Sequence, residues 1–129
     1  MDKVTSDLMI CYYRLSSEDG DVARGNATES FSISAQRLCV QNFLASRPDL
    51  EGTVEEIVDD GYTGTNMNRP GIQRLLSLVK SGSVKTVIVR DLSRFSRNFL
   101  EGGHYLEFVF PAYGVRFISI NDHFDTIDP

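Results

Sequence analysis

Residues 84–97 read VKTVIVRDLSRFSR. The first six are an apolar, β-branched run that suits a β-strand. The run ends abruptly at Arg90, and Arg94 and Arg97 follow within seven residues. Arginine is the side chain suited to bidentate recognition of phosphate. Residues just past the end of a strand lie where open α/β sheets keep their sites. The stretch therefore reads as a strand that delivers guanidinium groups to a phosphate-handling centre.

Reading outward from it, the periodicity alternates. Upstream, Pro70 sits where the first turn of a helix accepts it. Ile72, Leu75, Leu76 and Val79 then follow at i, i+3, i+4 and i+7, the stripe of an amphipathic helix that Gly82 closes. TVEEIV (53–58) reads as another strand, joined to this helix by the loop DDGYTGTNMNR (59–69). Ser32 opens a helix to about Arg47, with Ala35, Leu38, Cys39 and Phe43 on one face, and Pro48 stops it. LMICYY (8–13) suits a buried strand, and the polar stretch 17–31 reads as a long mobile loop. Downstream, Asn98 and Glu101 resemble a capping pair. The helix they open carries Phe99, Gly103, Leu106, Phe110 and Tyr113 as its stripe. Gly114 ends it, VRFISI (115–120) is a fourth strand, and the polar tail closes no further element. The order β-α-β-α-β-α-β predicts an α/β fold: a mostly parallel sheet of four to five strands with helices on both faces.

Composition sets bounds. The chain has 129 residues, 41% hydrophobic and 24% charged, which fits one globular domain spanning 1–129. A net charge of −5 argues against general binding of polyanions, so a nucleic-acid role needs a local basic patch. Cys11 and Cys39 have apolar neighbours and no metal-ligand spacing, and they read as buried free thiols. Neither a signal peptide nor an apolar run of membrane-spanning length is visible, which predicts a cytoplasmic protein.

The chemistry-bearing residues fall on loops that a parallel sheet gathers at one edge. Arg14 and Ser16 are two apart, so on an extended backbone they point the same way. A serine hydroxyl is a weak nucleophile and needs activation or transition-state support. Alone, the pair reads as a surface serine at a strand end. Arg69 precedes a helix N-terminus, a position that can take an anion, though alone it reads as a solvated surface side chain. Asp59 and Asp60 end a strand, as solvated carboxylates or as helix caps. Arg94 and Arg97 share a face if 91–97 is helical or tightly turned, and Asp91 is placed to hold one guanidinium. Taken together, Arg14, Arg69, Arg94 and Arg97 with one serine make a set that phosphoryl transfer can use, because that chemistry rests on positioning and charge stabilisation. His104 and His123 lie apart and form no metal motif.

These residues resemble a family. Tyr13-Arg14-Leu15-Ser16 is similar to the Y-x-R-[VL]-S signature of the serine site-specific recombinases, the resolvase/invertase superfamily. Ser32-Ile33-Ser34-Ala35-Gln36 resembles the S-x-x-x-Q that follows. Asp60 through Gly64 and Asn68-Arg69-Pro70-Gly71 resemble the D-x-x-x-G…R-P-G loop. Leu92 through Asn98 resembles L-[DS]-R-[LF]-[SG]-R-[DN]. The similarity spans about residues 8–120, and the insert after Ser16 points to the large recombinases of transposons and phage integrases.

The resemblance implies site-specific DNA recombination, with Ser16 attacking DNA to form a 5′-phosphoserine. Arg14, Arg69, Arg94 and Arg97 would surround the scissile phosphate, with Gln36 and Asp60 in support. It implies no cofactor and no metal. It implies double-stranded DNA as partner and a dimer and tetramer in the full-length protein. The oligomerisation helix and DNA-binding domains would follow Pro129. Many resolvases carry Asp where this chain has Ser93, so an acidic role there passes to Asp91 or is absent. The alternatives are a receiver-like phosphoacceptor domain, for which Asp59-Asp60 is the cue, and an inactive interaction domain of the same fold.

Overall fold

The computed structural model describes residues 7–15, 31–61 and 66–127. Ser16, the expected mobile loop and residues 62–65 lie outside them. The element order is β1 (Leu8–Leu15), α1 (Phe31–Ala45), β2 (Thr53–Asp60), α2 (Pro70–Lys80), β3 (Val84–Val89), α3 (Leu92–Phe95), α4 (Phe99–His104), a π-helical turn (Tyr105–Val109), α5 (Phe110–Ala112), β4 (Arg116–Ser119) and β5 (Phe124–Asp125). The strands form one sheet in the order β2-β1-β3-β4-β5. All neighbours are parallel except β5, which runs antiparallel to β4.

Strand alternation divides the core in two. Ile10 and Tyr12 of β1, Val87 and Val89 of β3 and Phe117 of β4 face α2, Phe95 and Phe110. Cys11, Tyr13 and Leu15, with Ile88 and Ile118, face Ile33 and Val40 of α1. Helices thus cover both faces, as the βαβ order requires. The α2 stripe packs as expected, with Ile72, Leu75, Leu76 and Val79 all buried. Gly82 takes a φ of +82°, the left-handed turn that lets the chain enter β3. Among the described residues no helix is long and apolar enough to cross a membrane.

Four expectations need correction. The inward face of α1 carries Ile33, Gln36 and Val40, whereas Ala35 and Leu38 are exposed. A polar residue at the centre of the buried face breaks the apolar period there. The stripe after Asn98 also fails, because Phe99 is 90% exposed and Tyr113 is exposed, while Phe110 is buried. The π-turn shifts the helical phase between those residues. Pro111 offers no N–H and its ring crowds the preceding turn, and the Phe110 N–H bonds to the Tyr105 carbonyl in the wider register. The tail does close an element, β5, held by a fork from Arg116 Nε and NH2 to Asp125 at 2.9 and 2.6 Å. Of the two free thiols only Cys11 is fully buried, which pushes its pKa up to about 12, and Cys39 is half-buried.

Candidate active site

From β1 the chain crosses to β2 on one side and then to β3 on the other. The carboxyl ends of β1 and β3 therefore flank a topological switch point, where open α/β sheets form their crevice. Arg14 stands near the end of β1, and Arg90, Asp91 and α3 follow β3 directly. Arg69 immediately precedes α2 in the extended conformation.

Three arginines meet on the single turn of α3. Arg14 Nε donates to the Arg94 carbonyl at 3.1 Å, and its NH2 donates to the Ser93 carbonyl at 2.8 Å. Arg69 NH1 donates to the same Arg94 carbonyl at 3.1 Å, and its NH2 donates to the Phe95 carbonyl at 2.5 Å. Arg94 NH1 returns a bond to the Arg14 carbonyl at 3.1 Å. Arg14 and Arg69 are 0% and 1% exposed, so neither is a solvated surface residue. Arg97 is exposed and lies beyond α3, where Ser96 is already extended, so it does not share a helical face with Arg94. Burial, followed by the charges of Arg97, Arg69 and Arg94, lowers the Arg14 pKa to about 10. Crowded guanidiniums of this kind attract an anion.

Two further side chains brace the cluster. Gln36, buried on α1, clasps the Arg14 backbone, with Nε2 donating to its carbonyl at 3.0 Å and Oε1 accepting from its N–H at 3.2 Å. The structure thus brings Gln36 to Arg14 across 22 residues of sequence. Asp59 forms the second brace. Its carboxylate accepts from Tyr12 OH at 2.7 Å and from the N–H groups of Gly71 and Ile72 at 2.8 and 2.9 Å. Tyr12 OH in turn accepts from Arg69 NH1 at 2.8 Å. Burial, offset in part by the Arg69 charge, raises the Tyr12 phenol well above its usual range, so it stays protonated. The family resemblance implies a supporting role for Asp60, whereas Asp59 makes these contacts and Asp60 ends β2 half-buried in register with Leu15. The helix-cap alternative for the pair is the one Asp59 realises. Strand parity was the available signal: Asp59 shares the face of Ile57, which packs toward α2.

Asp91 lies beside the cluster. Its Oδ2 takes Arg90 Nε at 3.0 Å and stands 3.6 Å from Arg94 Nε. Its Oδ1 accepts a short hydrogen bond from Ser93 Oγ. Burial alone would raise this carboxyl. The bonds from Ser93 and Arg90 and the charges of Arg94 and Arg90 outweigh burial and hold it below the ordinary carboxylate value.

A mostly parallel sheet with guanidiniums gathered at the β1–β3 crevice is an α/β architecture suited to an anionic ligand. The family model described as Resolvase, N terminal domain matches residues 9–129, so the chain belongs to that family, whose work is site-specific DNA recombination. Solved structures agree. The N-terminal catalytic domain of TP901-1 integrase is 25% identical with a TM-score of 0.72, and the match covers 94% of this chain and 82% of that one. A resolvase family site-specific recombinase from Streptococcus pneumoniae is 27% identical with a TM-score of 0.72, covering 95% of this chain and 78% of that one. The C-terminal catalytic domain of ISC1926 TnpA, an IS607-like serine recombinase, is 25% identical with a TM-score of 0.68, covering 88% of this chain and 67% of that one. No curated protein sequence matches the chain.

Proposed function

We propose that this domain cuts and rejoins double-stranded DNA through Ser16. The Ser16 Oγ attacks a backbone phosphorus, the bond to the 3′ oxygen breaks, and that oxygen leaves with a proton as a free 3′-hydroxyl. One phosphoester replaces another, so the 5′-phosphoserine link retains the energy that rejoining needs. Arg14, Arg69, Arg94 and Arg97 stabilise charge on the phosphoryl oxygens. Gln36 holds the Arg14 backbone, Asp59 holds Arg69 through Tyr12, and Asp60 supports the same edge.

The observation that carries this reading is the convergence of Arg14, Arg69 and Arg94 on α3 at the β1–β3 crevice. Guanidinium charge takes the part a metal plays elsewhere, which makes the reaction independent of divalent ions. The domain works as dimers and tetramers, in the compartment that holds the DNA. A receiver-like role is disfavoured, because the Asp59 carboxylate is engaged by Tyr12 and two backbone N–H groups.

The test is covalent trapping. The full-length protein, incubated with total DNA of its source and denatured, retains a DNA end on Ser16, with or without EDTA. Ser16→Ala abolishes the adduct, and sequencing the trapped DNA identifies the site. An adduct that persists in Ser16→Ala removes Ser16 from its role, and an adduct lost in EDTA removes the metal-free mechanism.

A further inference from the structure

Asp91 occupies the N-cap position of α3, where an aspartate ordinarily caps its own helix. It makes no such bond. The cap comes from elsewhere: Asp122 Oδ2 accepts from the Leu92 N–H at 2.7 Å and from Ser119 Oγ at 2.6 Å. With its capping duty done by Asp122, the Asp91 carboxylate turns to Ser93 Oγ, Arg90 and Arg94. Its side chain is 22% exposed and that of Arg94 is 11% exposed, so solvent screens the pair only in part.

The turn it grips is the one the site arginines use. The Ser93 carbonyl accepts from Arg14, and the Arg94 carbonyl accepts from both Arg14 and Arg69. One carboxylate thus touches the side chains of two of the three residues whose carbonyls seat the arginine cluster.

We propose that Asp91 is a positioning residue for strand cleavage, acting through the Ser93 hydroxyl and the Arg94 guanidinium. It fixes the turn and aims Arg94, a site arginine that it contacts directly. It touches neither DNA nor the nucleophile in this scheme. The inference rests on the recombinase reading above and adds a residue to that site. Asp91→Asn keeps the size of the side chain and an acceptor for Ser93 but removes the charge that orients Arg94. A guanidinium misaimed by about 1 Å costs on the order of 100-fold in rate, and loss of one charge-assisted bond costs about tenfold.

The experiment uses the full-length protein and a supercoiled plasmid carrying the sequence trapped on Ser16. Single-turnover adduct formation is measured at saturating DNA, and DNA retention is measured separately on the same plasmid. In Asp91→Asn the adduct rate falls about 10- to 100-fold while retention stays at the wild-type level. Ser93→Ala also slows the adduct, because it removes the other contact through which Asp91 holds the turn. A wild-type adduct rate in Asp91→Asn overturns the proposal. So does a loss of retention that accounts for the rate. If Asp91→Asn fails to fold, Ser93→Ala alone decides: a wild-type rate there overturns the proposal. These outcomes are scored on a wild-type protein that forms the Ser16 adduct, so failure of the recombinase reading shows itself first and separately.

Discussion

Asp59 carries more of the site than its position suggests. Its carboxylate takes two N–H groups at the start of α2 and the Tyr12 hydroxyl, which in turn seats Arg69. Asp59→Ala leaves three donors, two of them buried, without their acceptor. We expect a loss of about 3–5 kcal/mol in a urea titration of the domain. Gly71 is tied to the same carboxylate. A Cβ there would stand 2.7 Å from both Asp59 oxygens. Glycine to alanine within a helix normally stabilises. Here Gly71→Ala destabilises by about 1–3 kcal/mol, measured by the same titration, because the added methyl drives Asp59 off its partners.

At the scale of elements, β5 tests how a short edge strand is held. It has two residues and one forked ion pair, Arg116 to Asp125. Bonds from Arg116 hold the Asp125 carboxyl below its ordinary value of 3.8. A carboxyl lowered in the folded state adds stability above its unfolded value and loses it as pH falls through the folded one. The stability gap between wild type and Asp125→Asn is therefore full at neutral pH and closes below about pH 4, as thermal melts across pH will show. The elements differed in how well their sequences announced them. β3 and α2 were legible because their apolar periods are clean and their ends carry Arg90, Pro70 and Gly82. The inner face of α1 was not, since Gln36 faces inward for its bonds to Arg14, and those bonds are long-range. The helix after Asn98 was half legible. Asn98 does cap it, accepting from the Glu101 N–H at 3.1 Å, but no local signal locates the phase shift of the π-turn. Arg14, Arg69 and Arg94 could be grouped from strand ends alone. The choice of Asp59 over Asp60 needed the packing of β2 on α2.

For the whole molecule, charge is unevenly used. The chain carries a net −5, yet four arginines share one edge. If those arginines surround a single phosphate, isolated domain and DNA release few counterions on binding. Affinity then falls only about 3- to 10-fold between 50 and 200 mM salt, in a titration by fluorescence anisotropy. A fall of about 1,000-fold would indicate a wider phosphate footprint on this domain, and no salt dependence at all would contradict the arginine pocket.

The guanidiniums of Arg14 and Arg69 are seated on the main-chain oxygens of Ser93, Arg94 and Phe95. Every amino acid offers that same oxygen. The anchorage is therefore blind to which side chains the turn displays, provided that its backbone path is kept. The turn's side chains are thereby left for other work: the Arg94 guanidinium and the Ser93 hydroxyl meet Asp91, and Phe95 fills the core. A single choice of hydrogen-bond acceptor thus separates what seats the two arginines from what the turn's side chains do.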